Sequence, residues 1–415
     1  MKKYVIIGNG VAAAGCIEGI RTQDTASEIT IISEENHPVY CRPLISYCLE
    51  GKTTIEKMNY REKDYYLNNG CNVLYGKQAI KIDDKHKLVI TNSGDEIPYD
   101  ELCIATGSSP FVPPFPGLET VDKKFSFMTI DDMQALEHAI DKNTRVFIVG
   151  AGLIGLKCAE GLADRVSEIT VCDLADRILS SILDEECAAL MQKHLEKHGI
   201  KFLLGDSVAT FDKNTAKMNS GTDVAFDVLV LAVGVRANTA LLKEIGGEVN
   251  RGILINDKMQ TSIAHIYAAG DCTEGDDISS GQKKVLAILP NAYIQGKCAG
   301  INMAGGEAVF DNAIPMNSIG FFGLHAMTAG SYPTKQDGGE VYEEKGDSFI
   351  KRLYMKDGFL AGYILIGKVD RAGIYTSLIR EKTPLTDIDA AMLKKSPSLA
   401  IFLPETRRKK LGGVL

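Results

Sequence analysis

Two glycine clusters and the carboxylates that follow them hold the first chemistry in this chain. In Lys3 to Gly15 (KYVIIGNGVAAAG), Gly8 and Gly10 let the backbone turn tightly and approach a pyrophosphate. Ala13 stands where a third small residue lets a helix pack on a strand. About 20 residues further on, Glu34 closes an apolar run, where a carboxylate can accept both ribose hydroxyls of an adenine dinucleotide. The pattern recurs at Gly150, Gly152 and Gly155, a full G-x-G-x-x-G, with Asp173 ending Ile169-Thr170-Val171-Cys172. Asp173 would bind an unphosphorylated ribose and repel a 2′-phosphate, and Leu174 and Ala175 bring no cation for such a phosphate. The second site is therefore expected to prefer NADH to NADPH. Gly270 permits close backbone approach, and Asp271 is placed to accept hydroxyls from a polyol chain such as ribitol. Cys41 and Cys48 are separated by six residues. They read as a redox disulfide or as two ordinary thiols, and dithiol sites usually have closer spacing.

The elements that must position these groups are legible nearby. Val5, Ile6 and Ile7 form the continuous apolar run of a strand covered on both faces. A helix start after Gly10 offers free N–H groups and a positive dipole end to phosphates. Ile29-Thr30-Ile31-Ile32 is a second strand. His37 to Gly51, with two prolines and an arginine, reads as a structured turn before a short helix. Segment 72–98 reads as strands and a hairpin with its tip at Ser93-Gly94-Asp95. Leu102 to Gly107 (LCIATG) is a short buried strand, and Pro110 to Pro116 has four prolines in seven residues, as a linker would. The second unit runs from the strand Arg145–Val149 through a helix ending near Leu162, and Phe226 to Val233 is a buried strand closing at Gly234. Val235-Arg236-Ala237-Asn238 then leaves that domain. The repeat of the opening motif marks an internal duplication. Ile266 to Asp271 is a strand ending in Gly-Asp, and a helix is expected from Asn291 to Met303. From about residue 310 the pattern becomes a meander with a hairpin tip near Gly358 and a helix over 371–382. Arg407-Arg408-Lys409-Lys410 reads as a solvated tail.

With 415 residues the chain has room for two or three domains. It is 45% hydrophobic and 24% charged, as a soluble globular protein is. Met1-Lys2-Lys3 leads directly into a core strand, so no signal peptide is expected. No apolar run approaches membrane-spanning length. The formal charge of −8 argues against broad nucleic-acid binding. Ten cysteines without zinc-like pairs or a Cys-x-x-Cys read as reduced core thiols of a cytoplasmic protein.

Four motifs in order, namely the Gly8 loop, Ala105-Thr106-Gly107, the Gly150 loop and Ala268 to Asp271, resemble the pyridine-nucleotide-dependent FAD oxidoreductases. The resemblance covers nearly the whole chain. It implies an α/β fold with two Rossmann-like dinucleotide-binding domains, the FAD domain being split by an inserted NAD domain, plus an α+β C-terminal interface domain. The expected divisions are 1–115 and 241–309 for FAD, 116–240 for NAD, 310–385 for the interface domain and 386–415 for a tail. By the same resemblance FAD would be held by Gly8, Gly10, Ala13, Glu34, Arg42, Ala79, Thr106, Gly107, Gly270, Asp271, Asn291 and Ala292. The turn at Pro290 would begin a helix pointing at the flavin pyrimidine ring, with Ala79 presenting backbone to the adenine. NADH would be held by Gly150, Gly152, Gly155, Asp173 and Gly234.

Within that family the chain looks most like the NADH:rubredoxin and ferredoxin reductase branch and the flavoprotein portion of NADH-dependent nitrite reductases. The marks are Tyr40-Cys41-Arg42-Pro43-Leu44-Ile45-Ser46, Gly152 to Lys157, and Asp370 to Tyr375. The Cys-x4-Cys of the disulfide reductases is absent. Related ferredoxin reductases place a lysine near flavin N5, paired with a glutamate on the NAD helix, where this chain has Tyr47 and Lys157. Lys157 and Tyr47 are thus the catalytic candidates. Either Lys157 reaches toward N5 and stabilises the reduced flavin, or it is a helix residue paired with Glu160 or another acid.

The expected activity is hydride transfer from NADH to FAD, followed by electron transfer to a small iron–sulfur carrier of rubredoxin or ferredoxin type, or to an iron–sulfur subunit. An NADH oxidase using Cys41, and a flavin subunit with little activity alone, are the rival readings. No nucleic-acid or membrane partner is expected, and the chain is expected as a monomer or dimer. Candidates for a basic docking patch are Lys283, Lys284, Lys351, Arg352, Arg371, Arg380 and residues 407–410.

Overall fold

The computed structural model describes residues 1–411. It divides into two compact units. The first comprises Met1–Ser181, Leu195–Gly275 and Lys283–Asp311; the second comprises Ile182–His194, Asp276–Gln282 and the chain from Asn312 onward.

The first unit contains two five-stranded parallel sheets. One has the order Ile266–Ala268, Glu101–Ile104, Lys3–Ile7, Glu28–Ser33, Cys71–Tyr75. The other has the order Ile200–Leu204, Glu168–Asp173, Arg145–Val149, Val228–Leu231, Lys124–Phe125. The central strands carry unbroken apolar runs because both sheet faces are covered: Ile6, Phe147, Ile148 and Val230 have no exposed surface. Strand, glycine turn, helix and second strand fall where the sequence places them, at Lys3–Ile7, Val11–Arg21 and Glu28–Ser33, then at Arg145–Val149, Leu153–Leu162 and Glu168–Asp173.

Segment 72–98 forms the expected strands and hairpin, turning at Ser93-Gly94-Asp95 between Leu88–Thr91 and Glu96–Pro98. Its first strand, Cys71–Tyr75, joins the parallel sheet beside Glu28–Ser33. Only Ala79–Asp83, Leu88–Thr91 and Glu96–Pro98 form an antiparallel group, with Gly94 at a tip. Val73 and Leu74, both half-buried, lie on the edge strand of that sheet.

The helices Val11–Arg21 and Leu289–Met303 press together through glycines spaced four apart on each, so that each pair shares one helix face. A Cβ at Gly15 would lie 2.2 Å from Tyr293 O, at Gly19 2.3 Å from Lys297 O, at Gly296 1.9 Å from Ala12 O, and at Gly300 2.1 Å from Cys16 O. Each helical glycine costs about 0.5–1 kcal/mol relative to alanine. The four are retained because any side chain would force the two backbones apart.

The second unit holds a five-stranded antiparallel sheet in the order Met316–Phe321, Leu324–Gly330, Phe359–Ile366, Phe349–Lys356, Glu340–Gly346. Its core gathers Leu353, Tyr363, Tyr375 and Leu378, and also Leu393, Ile401 and Phe402. The expected tail over 386–415 is corrected here. The segment up to Phe402 packs onto the core through Ile388, Leu393, Ile401 and Phe402, whose apolar area folding removes from water. The charge run lies on a helix, Pro404–Leu411, where Lys410 pairs with Glu381 at 2.7 Å. Residues 412–415 of the tail reading lie outside the described residues. Among the described residues no helix is long and apolar enough to cross a membrane.

Replacing Gly296 by alanine should destabilise the protein by about 1–3 kcal/mol, the usual cost of overpacking. Gly373, whose added Cβ meets nothing within 4 Å, should accept alanine without loss. Thermal unfolding of the two variants checks this; equal midpoints would remove the helix seam from the account.

Candidate functional site

The glycine loop begins where the strand Lys3–Ile7 ends. Gly8 has φ +105, and a Cβ there would lie 2.1 Å from Ala105 O. The strand Glu101–Ile104 therefore delivers its outgoing backbone directly against the loop. Gly10 caps the helix Val11–Arg21 with extended backbone and no side-chain hydrogen bond, and open space surrounds it. The first turn holds no acidic residue. Uncapped amides facing open space at the carboxyl edge of a parallel sheet suit a phosphate. Asn9, between the glycines, is held by Tyr66, whose hydroxyl donates to Asn9 Oδ1 at 2.7 Å, while Asn9 Nδ2 donates to His37 O at 3.2 Å.

Gly270, at φ +84, comes to the same place: its Cβ would sit 3.0 Å from Ala12 Cβ and 3.6 Å from Ala292 Cβ. The three motifs are therefore assembled at the ends of adjacent strands. Gln295 locks this arrangement, its Oε1 accepting from Gly270 N at 2.8 Å and from Thr273 Oγ1 at 3.2 Å. Asn291 is fully buried near the start of the helix Leu289–Met303. Burial pushes the Asp271 carboxyl above its ordinary value, and the Arg42 guanidinium opposes that rise. Thr106 and Gly107 follow Ala105 and turn away, Gly107 at φ +65. Ala79 lies on the antiparallel group, two residues past Lys77, whose N–H donates to Ser33 O at 2.9 Å.

At the end of the strand Glu28–Ser33, Glu34 is exposed and its neighbour is engaged. Glu35 accepts from the Tyr40 hydroxyl at 2.6 Å and pairs with Arg42, and Arg42 Nη1 donates to Met128 O at 3.0 Å. Burial raises the Tyr40 hydroxyl well above its ordinary value, so it remains a donor. Sequence reasoning missed Glu35, Gln295 and Tyr66. The adjacent Glu34-Glu35 pair was visible, but which of the two turns inward depends on where Arg42 arrives from a separate turn.

The second loop repeats the first. Gly150 has φ +115, and a Cβ there would lie 2.2 Å from Ala232 O; a Cβ on Gly155 would lie 2.0 Å from Gly150 O. Gly152 caps Leu153–Leu162 with no side-chain bond and open space around it. Asp173 braces this loop: Oδ2 accepts from Ala151 N at 2.7 Å and Oδ1 from Ala175 N at 2.8 Å. Gly234, at φ +117, faces open space as well.

Lys157, on the helix Leu153–Leu162, pairs with the buried Glu160 one turn on. Its ammonium also lies over the Tyr47 ring, 4.4 Å from the centroid. The two catalytic candidates are thus in contact, and the alternative pairing with Glu160 is present too. Cys41 and Cys48 are free thiols, half-buried, and burial raises both. The expected basic docking patch is corrected in part. Arg352 is held by Asp184, Glu186 and Glu343, Lys351 pairs with Glu344 at 2.9 Å, and Arg371 Nη1 donates to Pro397 O at 3.2 Å. Cations already matched inside the fold are not free for a partner.

Two uncapped helix starts, each behind a backbone-tight glycine and each followed by a strand ending on a carboxylate, define a protein that binds two dinucleotides. Residues 2–296 match the family described as pyridine nucleotide-disulphide oxidoreductase, and the chain belongs to that family. FAD is the characteristic cofactor of the family, and NADH is the reductant of its NADH-dependent members. The epsilon subunit of NADH-dependent phenylglyoxylate dehydrogenase from Aromatoleum evansii is 32% identical over 93% of this chain and 93% of its own. The nitrite reductase [NAD(P)H] of Bacillus subtilis (strain 168) is 32% identical over 93% of this chain, which spans about half (48%) of that relative. The NADH-rubredoxin oxidoreductase of Clostridium acetobutylicum is 26% identical over 90% of this chain and 91% of its own. A crystal structure of NADH:rubredoxin oxidoreductase from that organism shares the fold, with a TM-score of 0.75 and 24% identity over 94% of this chain and 97% of that one.

The residues present fit FAD: the Gly8–Gly10 cradle would not admit a side chain at Gly8, and Asp271 is a half-buried carboxyl held above its ordinary value. Because that raised value disfavours the ionised form, Asp271→Asn should stabilise flavin-stripped protein at neutral pH. The gain should shrink as pH falls through the raised value toward 3.8, where both states bind the proton. Unfolding midpoints across pH 3.5–8 check this, and a gain independent of pH would contradict it.

Proposed function

We propose that this protein is an NADH-dependent FAD oxidoreductase that passes electrons to a small iron–sulfur carrier of rubredoxin or ferredoxin type, or to an iron–sulfur partner subunit. The observation that carries the reading is the paired glycine loops, each pressed on the neighbouring strand's exit and each opening an uncapped helix. Bound FAD supplies the hydride-accepting and electron-releasing chemistry. The chain's own part is to bind, orient and tune. Gly8, Gly10, Ala13, Thr106 and Gly107 give the first pyrophosphate a close backbone, with Ala79 and Glu34 on its adenosine side. Arg42, Gly270, Asp271, Asn291 and Ala292 surround the remainder of the cofactor. Gly150, Gly152, Gly155 and Gly234 receive the visiting nucleotide. Asp173 holds the loop and keeps a negative charge where a 2′-phosphate would sit.

We assign Lys157 and Tyr47 to the reacting end of the flavin. Lys157 pairs with Glu160, and the Tyr47 ring lies beneath its ammonium and fixes its direction. The thiols are poor redox relays because burial holds Cys41 and Cys48 protonated, and this supports an external acceptor over a Cys41-based oxidase. The relatives support the same division: one is a dehydrogenase subunit, and another is a nitrite reductase of which this chain spans half. They also favour a second reading, in which the chain is the flavin-bearing portion of a larger assembly. A cytoplasmic location fits reduced thiols.

Anaerobic stopped-flow mixing tests the reading: NADH should bleach the flavin much faster than NADPH, and rubredoxin or ferredoxin should reoxidise it. Asp173→Asn should narrow the NADH preference in kcat/KM by about tenfold, roughly 1.4 kcal/mol. Lys157→Met should slow the limiting rate by about tenfold. Equal rates with both nucleotides in the unaltered protein would overturn the assignment of Asp173. An unaltered limiting rate in Lys157→Met would remove that residue from the reacting end.

A further inference from the structure

The chain crosses between the two glycine-loop sheets twice, and the crossings are thinly bonded. Ser108–Pro110 leads out and Val235–Ala237 leads back, as a two-stranded antiparallel ribbon with no further strand beside it among the described residues. Its register pairs Val235 with Pro110, Arg236 with Ser109 and Ala237 with Ser108. A ribbon of this length is marginal by itself, and Pro110 has no N–H to give. Each crossing starts from a glycine at positive φ, Gly107 at +65 and Gly234 at +117, and both glycines stand in open space. Such positions can absorb backbone rotation, as hinges do.

One residue closes this double hinge. Asn238 uses every polar group it has on the opposite crossing. Its N–H donates to Gly107 O at 3.0 Å, and its Nδ2 donates to Thr106 O at 2.9 Å. Its Oδ1 accepts from Ser109 Oγ at 2.9 Å, and its carbonyl accepts from Thr106 Oγ1 at 2.9 Å. Phe111 N donates to Gly234 O at 2.9 Å, and the Arg236 guanidinium lies over the Phe111 ring, 4.1 Å from its centroid. Both ends of the clasp therefore reach residues that touch the proposed nucleotides: Thr106 and Gly107 on one side, Gly234 on the other.

We propose that Asn238 is a positioning residue that latches the twin crossover and so fixes how the nicotinamide is presented to the flavin. The proposal rests on the NADH-to-FAD reading above. Hydride transfer depends steeply on alignment, and a displacement of about 1 Å can cost 10²-fold. Loosening the latch should leave both nucleotides bound and misalign them. The amide is suited to this because it offers a donor to one carbonyl and an acceptor to one hydroxyl at the same time. An aspartate would keep the acceptor and set a negative oxygen against Thr106 O; once protonated, it would regain a donor.

The test uses the full-length flavoprotein and the variants Asn238→Ala, Asn238→Asp and Ser109→Ala. Hydrogen exchange in peptides covering 106–112 and 233–239 should rise about tenfold in Asn238→Ala, with flavin content and unfolding midpoint unchanged. The limiting rate of flavin reduction by NADH should fall at least tenfold, with the Kd for NADH within twofold of the unaltered protein. In Asn238→Asp the rate should recover as pH is lowered, whereas the unaltered protein should show no such recovery. If Asn238→Ala fails to fold, Ser109→Ala decides. It removes one exposed hydroxyl, and should raise exchange in the same peptides and lower the limiting rate several-fold. Unchanged exchange, or faster exchange with an unchanged limiting rate, overturns the proposal. Loss of flavin or a lowered midpoint in step with the rate would make Asn238 a folding residue only. If the unaltered protein is not reduced by NADH, the reading of function fails, while the exchange data still decide whether the latch exists.

Discussion

The carbonyl of Ala105 occupies the space that a side chain on residue 8 would need. That contact is the constraint on which the first nucleotide site depends. It fixes how the strand Lys3–Ile7 turns, because only a residue without a Cβ can sit at φ +105 against a neighbouring backbone. The turn in turn aims the start of the helix Val11–Arg21 at the edge of the sheet, where its amides lack partners. The helix is then held in place from behind by Leu289–Met303, again through glycines that let backbone touch backbone. Binding chemistry at the front and close packing at the back are set by the same absence of side chains.

The second site obeys the same constraint, with Ala232 O against Gly150, yet the two carboxylates differ in what they do. Asp173 is turned inward onto the amides of Ala151 and Ala175, so the loop is braced from within. Glu34 is left to solvent, and the bracing of its region comes from Glu35, Tyr40 and Arg42. Asp173 itself holds the shape of its loop through these two amides. At the first site Arg42, already paired with Glu35, offsets the burial of Asp271 only in part.

What could be read from the sequence follows from how local each cause is. The glycine loops, their strands and their helices were legible because each is set within about 30 residues by pattern alone. The Gly-x3-Gly spacing at Gly15–Gly19 and Gly296–Gly300 was present too. Nothing local says that two helices so far apart in the chain will meet. Cys71–Tyr75 is legible as a strand, but its parallel pairing with Glu28–Ser33 joins residues about 40 apart and no local turn announces it. The charge run after Phe402 is solvated, as its composition suggests, on a helix that buries no residue; only the fold brings Glu381 and the Phe402 ring beside Lys410. Asn238 was named only as a point of departure from a domain, since its four bonds all go to residues more than a hundred positions away.

Ten cysteines invite a thiol mechanism, and burial argues against one. Cys71 and Cys298 are pushed up to about 11, and Cys172 and Cys272 to about 12, in each case chiefly by burial. At pH 7 a thiol of pKa 11 is ionised to about one part in ten thousand, and the thiolate is the reactive form. Cys41, the thiol nearest the Arg42 turn, rises for the same reason, the Leu44 amide offsetting the rise only in part. Cys48 is raised further by Glu137 and Glu56. A cation close to either sulfur could reverse this, and Arg42 would be the natural one. Its guanidinium is committed to Glu35 and Met128 O. At Cys48 the pull of Arg165 is outweighed by burial, Glu137 and Glu56, so both thiols stay raised, which is the physical basis for seeking the electron acceptor outside the chain.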